Sequence, residues 1–271
     1  MRVLTWNLWW RFGPWQERRK AILAVLREMR PDVCGLQEVW AQGGENLAEW
    51  LADELGMHWT WAASDRPGRW QQRIGDPTVD IGNAVLSRWP IVGRDVERLP
   101  VNGGQDDGRM ALFALLDAPG QQVPFFTAHL NSRGHESAVR CGQVGALARF
   151  VASRRGDTAY PPVLTGDFNA EPDADEMRLI GGHKTAPLVP GQVLHDVWRF
   201  ADPLLPSGTW DVTESDTPGI YEPNARIDYI LVGLPGPGGL GQVRAVRRAG
   251  DARVGGVWPS DHAAVVADLA L

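Results

Sequence analysis

With 271 residues, 44% of them apolar and 22% charged, the chain has ample material for a core and none of the bias of a disordered polymer. Its formal charge of -6 provides no global field toward nucleic acid or anionic lipid, so any phosphate recognition must be local. Two cysteines, Cys34 and Cys141, exclude a disulfide framework and lack metal-ligand spacing, and no apolar run reaches the roughly 18 residues of a membrane span.

The amino terminus, MRVLTWN, reads at once as a strand from Arg2 to Asn7, leaving no room for a signal peptide. With so few cysteines, this predicts a reducing, cytoplasmic setting. Ile22, Leu23, Val25, Leu26 and Met29 then recur at helical spacing until Pro31 ends the helix. DVCGLQEV is a short, almost wholly apolar strand, with Cys34 a small buried side chain, and a second helix is expected near Gly44 to Leu55. From Met57 to Leu130 the pattern is strands with turns: MHWTWAA, IGNAVLSRW, IVGRDVERL, RMALFALLDA and VPFFTAHL. The polar, arginine-rich segment Ser64 to Asp80 reads as a surface loop.

Val139, Val144, Leu147, Ala148 and Val151 form one face of a further helix. After it come a strand from Pro162 to Thr165, a short helix from about Asp173, and an irregular stretch to Tyr221. Three late strands follow in RIDYILV, QVRAVRRA and AAVVADLAL, with GLPGPGGLG (233–241) read as a hairpin loop. No linker divides the chain, so residues 1–271 are expected to form a single domain. Runs of strands separated by a few long helices predict two sheets packed face to face with helices outside. VLTWN and VLTGDFN, both apolar strands passing through Thr to Asn, hint at a pseudo-duplication.

Polar residues collect at the strand ends: Asn7, Gln37 and Glu38, His129, Asp167 and Asn169, Asp228, and Asp261 with His262. Singly, each has an ordinary explanation as a turn, cap or satisfied core group. Together, in apolar strands where burial penalises unpaired polar groups, they require one another. Acids, amides and imidazoles are the set needed for metal-assisted attack of water on a phosphate ester.

TWN, LQE, GNAVLSRWPI, TAHL, GDFN, RIDYIL and SDH, in this order and spacing, resemble the endonuclease/exonuclease/phosphatase superfamily of metal-dependent phosphohydrolases, from residue 3 to residue 268. The resemblance implies an α/β fold, a four-layer sandwich of two packed mixed β-sheets flanked by helices, with the site at one edge of the sheets. It implies Glu38 as the principal Mg2+ ligand, with Mn2+ as the alternative ion, assisted directly or through water by Asn7 and Asp261. It implies Asp167 as the group that orients or deprotonates water, Asn169 and His129 as holders of phosphate oxygens, and His262 as a partly charged imidazole steadied by Asp228. Asn83 and Arg109 match site-ordering positions. Residue types alone leave the base open between Asp167 and His262 backed by Asp228; Asp167 is preferred.

Trp9 stands where the apurinic endonuclease branch would carry an acid, and His129 where that branch lacks a histidine, which disfavours it. Thirteen tryptophans are too many for all to be buried, and Trp9, Trp10, Phe12 and Trp15 crowd the first loop, with Trp40 just beyond Glu38. They are either core or a wall, Trp9 and Trp10 foremost, on which a nucleobase stacks. Arg11, Arg66, Arg69, Arg73 and Arg133 are candidate phosphate contacts. The expected function is Mg2+- or Mn2+-dependent hydrolysis of phosphodiesters in nucleic acid (DNA or RNA) or nucleotides. The alternatives are a phosphatase or phospholipase-type hydrolase, and a binding protein without catalysis; the intact polar set argues against the last. No protein partner is evident.

Overall fold

Strands Arg2–Asn7 (β1) and Val33–Gln42 (β2) run parallel, joined by the helix Trp15–Met29 (α1). That helix stops where Arg30 turns left-handed, one residue before Pro31. Glu45–Asn46 (β3) folds back on β2, and the Asn46 side chain caps the helix Leu47–Leu55 (α2), which starts later than the sequence pattern suggests. His58–Ala63 (β4) and Asp80–Ser87 (β5), with Val243–Ala249 (β12) and Ala264–Leu269 (β13), complete a seven-stranded sheet ordered β12-β13-β1-β2-β5-β4, with β3 beside β2.

The second sheet is built from Ile91–Arg98 (β6), Met110–Ala118 (β7), Gln121–His129 (β8), Val163–Asp167 (β9), Leu194–Asp196 (β10) and Asp228–Gly233 (β11). Its order is β10-β11-β9-β8-β7-β6, and the helix Ser137–Arg154 (α4) joins its one parallel pair, β8 and β9. Taken along these orders, the two sheets repeat one pattern of antiparallel and parallel pairings, with β1 and β9 in equivalent places. The echo between VLTWN and VLTGDFN thus marks equivalent strands. The computed structural model describes residues 1–103, 106–210 and 224–271.

Three apolar layers hold the elements. Leu4, Trp6, Cys34 and Leu36 meet Ile22 and Leu26 of α1 and Leu51 of α2. Val3, Val33, Leu112, Phe125, Val163 and Ile230 fill the space between the sheets. Phe126, Leu164 and Tyr229 pack on Val144, Leu147 and Val151 of α4 and on Ile180 of the helix Asp175–Gly181 (α5). The result is a four-layer α/β sandwich, helices, sheet, sheet, helices, and the alternation of each strand decides which residues face which layer.

Several elements differ from their sequence reading. Within Ser64–Asp80 lies a helix, Gly68–Ile74 (α3), anchored by the buried Trp70 and the half-buried Ile74; its polar and charged neighbours conceal these two apolar anchors. The stretch 233–241 is not a hairpin loop, because it carries the chain from β11 in one sheet to β12 in the other. The irregular stretch hides the three-residue β10, and its residues 211–221 lie outside the described residues.

Between the sheets the inward threonines are linked through Gln37, whose amide donates to Thr5 Oγ1 (3.2 Å) and Thr127 Oγ1 (2.9 Å), while Thr165 donates to Phe126 O (2.9 Å). Only glycine fits at Gly35, since a Cβ there would lie 2.0 Å from Thr165 Oγ1 and 2.9 Å from Thr127 Oγ1. We expect Gly35→Ala to cost about 1–3 kcal/mol of stability, the scale for overfilling a packed interior. Denaturant unfolding measures it; wild-type stability would mean that the sheets separate here without penalty.

Candidate active site

Strand period and register assemble the site. In β1, β8 and β9 the residue two beyond the inward threonine (Thr5, Thr127, Thr165) is Asn7, His129 or Asp167, on the same inner face at the strand end. His129 pairs with Asp167 across β8 and β9, and Asp167 with Asp228 across β9 and β11, so three side chains stand in one row. From the opposite sheet, Asn7 Nδ2 donates to Asp167 Oδ2 (3.0 Å). His129 Nε2 lies 3.3 Å and His262 Nε2 3.9 Å from the same oxygen, and the Asn169 amide N–H donates to Asp167 Oδ1 (2.9 Å).

The two imidazoles are driven to opposite charge states. Burial, with Arg109, His262 and Arg69 nearby, holds His129 well below the usual range, so it is neutral. Burial also opposes a charge on His262, but the carboxylate of Asp228, hydrogen-bonded to Nδ1 at 2.8 Å, with Asp261 and Asp167, overrides it and keeps the imidazolium. Burial and the neighbouring Asp228 push Asp167 up to about 7, although His262, Asn7 and the Asn169 N–H pull it down. A carboxylate that titrates near neutrality beside a fixed imidazolium is suited to accept a proton.

Glu38 and Asp261 face the same cleft. A bulge in the β2–β5 pairing between Leu36 and Val39 rotates Glu38 outward at φ 52°, a left-handed conformation no strand residue adopts freely. Among the described residues its carboxylate receives no hydrogen bond or ion pair, and Asp261 receives only a long contact from Ser260 Oγ (3.4 Å). Burial and mutual repulsion raise Glu38, and burial raises Asp261. Two carboxylates brought together without a cationic partner in contact fit a divalent cation held by few protein oxygens. Asp167, Asp228 and His262 also converge, with ligand atoms within 4.8 Å, but His262 Nδ1 already bonds Asp228.

The open volume over these groups is about 930 Å3 and includes Asn7, Glu38, His129, Asp167, Asn169, Asp261 and His262 in its lining, whereas Asp228 stands fully buried behind His262. Arg109 also lines it, its guanidinium 4.8 Å over the Trp70 ring. Asn83, bonded to Met110 O (3.1 Å), lines a smaller recess of about 250 Å3 that shares Glu38, Arg109 and His129. Asn7 is held at both ends of its amide: its oxygen accepts from the Trp9 N–H (3.0 Å), which leaves it a second lone pair, and its NH2 group donates to Asp167 and so orients the acid.

The aromatic loop divides. Trp9 and Phe12 line the cleft. Trp10 does not: it is 1% exposed, packed in the core beneath the first sheet, its indole N–H donating to Asp80 O (2.9 Å). Trp15 and Trp40 meet edge to face, with the Arg11 guanidinium 4.2 Å from the centre of each ring, outside the cleft lining. Of the five candidate arginines, Arg69 and Arg73 line the cleft.

Three contributors escaped the sequence reading. Trp210 lines the cleft, its ring 6.5 Å from His262. Ser260, inside the quoted SDH, donates to Asn7 O (2.6 Å) and accepts from the His262 N–H (3.2 Å). Arg18, 1% exposed, spends all five N–H groups on the carbonyls of Leu8, Trp9, Trp10, Phe12 and Pro259, at 2.8 to 3.0 Å. It ties the loop after β1 to the turn that carries Asp261. Its signal was present, since Arg18 falls four residues before Ile22 on the apolar face of α1.

The chain matches the endonuclease/exonuclease/phosphatase family over residues 4–262 and belongs to it; this is a family of metal-dependent phosphodiester hydrolases. Among individual relatives, a Drosophila melanogaster protein named as a candidate neutral sphingomyelinase is 28% identical over 188 residues, 64% of this chain. The match spans 40% of that relative's length. Among solved structures, the human Nocturnin catalytic domain with bound sulfate has a TM-score of 0.72 at 20% identity, covering 100% of this chain and 94% of its own. Zebrafish (D. rerio) TDP2 complexed with single-strand DNA product has a TM-score of 0.74 at 18% identity, covering 98% and 97%. At these identities the structural matches establish the fold.

A carboxyl whose folded pKa lies above its usual 3.8 costs stability as it ionises: the cost sets in as pH rises past that value and is complete above about 7. In EDTA, Asp167→Asn therefore melts above wild type at about pH 8, and the gain shrinks toward about pH 5. A gain that does not change with pH would show that Asp167 is not held protonated by its surroundings.

Proposed function

We propose that the chain hydrolyses phosphodiesters of nucleic acid or nucleotides with Mg2+, Mn2+ substituting, and that its 271 residues act as one catalytic domain in the cytoplasm. The observation that carries this reading is the pair of unpartnered carboxylates, Glu38 and Asp261, facing the same cleft as an acid that titrates near 7 and a buried imidazolium. Glu38, with Asp261, would hold the cation, whose chemistry is to stabilise charge on the phosphoryl oxygens.

The chain's own groups do the rest. Asp167, aimed by Asn7 and neutral His129, takes the proton of the attacking water. His262, its Nδ1 fixed by Asp228, directs Nε2–H at a non-bridging oxygen as charge builds there, and the Asn169 amide assists. Arg109, Arg69 and Arg73 supply the local positive field that a chain of charge -6 lacks overall. Trp9, Phe12 and Trp210 offer the planar faces that favour a nucleobase. The sphingomyelinase name of the Drosophila relative supports a second reading, a phospholipid diester in the same cleft.

A panel decides between them: single- and double-stranded DNA, RNA, bis-p-nitrophenyl phosphate, p-nitrophenyl phosphate and sphingomyelin, each with Mg2+, Mn2+ or EDTA. Nucleic-acid cleavage abolished by EDTA supports the first reading. Sphingomyelin cleavage alone supports the second, and inactivity on every diester overturns both.

Glu38→Gln should fold as wild type yet lose most activity and weaken Mg2+ binding measured by calorimetry; unchanged Mg2+ affinity would remove Glu38 from the metal site. Trp9→Ala should raise the KM for a strand with planar bases by the equivalent of about 1–3 kcal/mol while sparing bis-p-nitrophenyl phosphate. Equal KM changes for the two substrates would defeat the stacking role.

A further inference from the structure

A second pocket, of about 540 Å3, opens away from the residues of the cleft, between α5, the turn that follows it and the edge of the six-stranded sheet. Its floor is Met177, Leu194 and Leu231. Around the floor stand Arg178, His183, Lys184, Arg199 and Arg226, against a single acid, Asp196. That acid is already satisfied: it pairs with the buried guanidinium of Arg226 at 2.8 Å and accepts from the Trp198 N–H at 2.9 Å.

Of the remaining cations, Arg199 and Lys184 have no acidic partner among the described residues, and Arg178 has a long ion pair with Asp175. Arg199 Nη1 donates to His183 Nε2 at 2.6 Å, and His183 Nδ1 faces Gly181 O at 3.2 Å. A guanidinium only donates, so Arg199 meets the lone pair of a ring nitrogen and not a negative charge. His195 lies against the same ring at 5.0 Å between centroids. Among the described residues neither Arg199 nor Lys184 contacts a carboxylate, and the nearest acid to Arg178 is the exposed Asp175 at 3.8 Å. In a chain of net charge -6, two cations without an acidic partner, beside a third held only by an exposed acid, stand over this apolar floor. Guanidinium and ammonium groups converging on one pocket recognise phosphate oxygens by charge-assisted hydrogen bonds.

We propose that this pocket is a second phosphate-binding site, in which Arg199, Lys184 and Arg178 hold the phosphoryl group of a ligand whose body lies on the apolar floor. The site needs no metal and stands apart from the catalytic reading of the cleft. The phosphoryl group can come from two sources: a free phosphate compound, or the backbone of a polymeric substrate leading out of the cleft.

The test uses the full chain in EDTA with inorganic phosphate as the probe, following the ring C–H signals of His183 and His195 by NMR. These signals should move saturably, and Lys184→Ala/Arg199→Ala should weaken the binding at least about tenfold with an unchanged melting temperature. Both substituted side chains are exposed, so the fold is preserved. A second arm compares kcat/KM for a long strand and for bis-p-nitrophenyl phosphate in the metal-loaded enzyme. A loss of about fivefold or more confined to the long strand assigns the site to polymer backbone. Equal rates for both substrates, with phosphate binding still lost, assign it to a free phosphate compound. Signals that do not move, move only at His129 and His262, or saturate equally in the double variant overturn the proposal.

Discussion

The hydrogen bond from Asn7 to Asp167 joins the end of β1 in one sheet to the end of β9 in the other, and the site exists because the two sheets meet closely enough to make it. That approach is set lower down, where Gly35 faces Thr165 and Thr127 with no room for a Cβ. Above this contact, period-two alternation places an inward threonine and then a catalytic candidate on β1, β8 and β9. Sheet spacing and register therefore set the candidate groups on β1, β8 and β9, and Asn169 and Ser260 in the adjoining loops complete the arrangement, which is the rigid support that positioned chemistry requires.

Electrostatics in this edge is a matter of uneven pairing. Asp228, fully buried, holds its charge against His262, while burial, with Arg109, His262 and Arg69 nearby, keeps His129 in the same row neutral. One side of Asp167 thus faces a cation and the other a neutral ring. Among the described residues Glu38 and Asp261 have no positive group in contact, an arrangement that destabilises the protein alone and favours a bound cation. The cleft is less stable than its residues could make it, and that cost is local to the candidate groups that line it.

Backbone strain follows the same boundary. Of the five non-glycine residues at positive φ among those described, Trp9, Trp10, Glu38 and Asn169 belong to the site's loops or strand ends. Trp9 and Trp10 hold that conformation because Arg18 captures their carbonyls, together with those of Leu8, Phe12 and Pro259. Asn169 holds it through its side chain on Leu130 O and its N–H on Asp167. A buried guanidinium with five carbonyl acceptors and no carboxylate in contact is a rigid clamp, because no rotation of it satisfies the same five groups.

The layers, and most of the polar residues that line the cleft, were legible in the sequence. Val3-x-Thr5-x-Asn7 and Val163-x-Thr165-x-Asp167 announce inward faces that end in polar groups, and α1 and α4 show their apolar stripes, because alternation and helical period are local properties. The tertiary structure decided what local patterns cannot encode. Trp10 became core while Trp9, next to it, became cleft wall, since a left-handed turn separates their directions. Glu38 reached the cleft through a bulge, and 233–241 crossed between sheets where its composition read as a hairpin, because pairing partners lie far apart in the chain. Arg18 falls on the apolar face of α1, but only the return of Pro259 from the far end of the chain makes it the link between the two loops that carry Trp9 and Asp261.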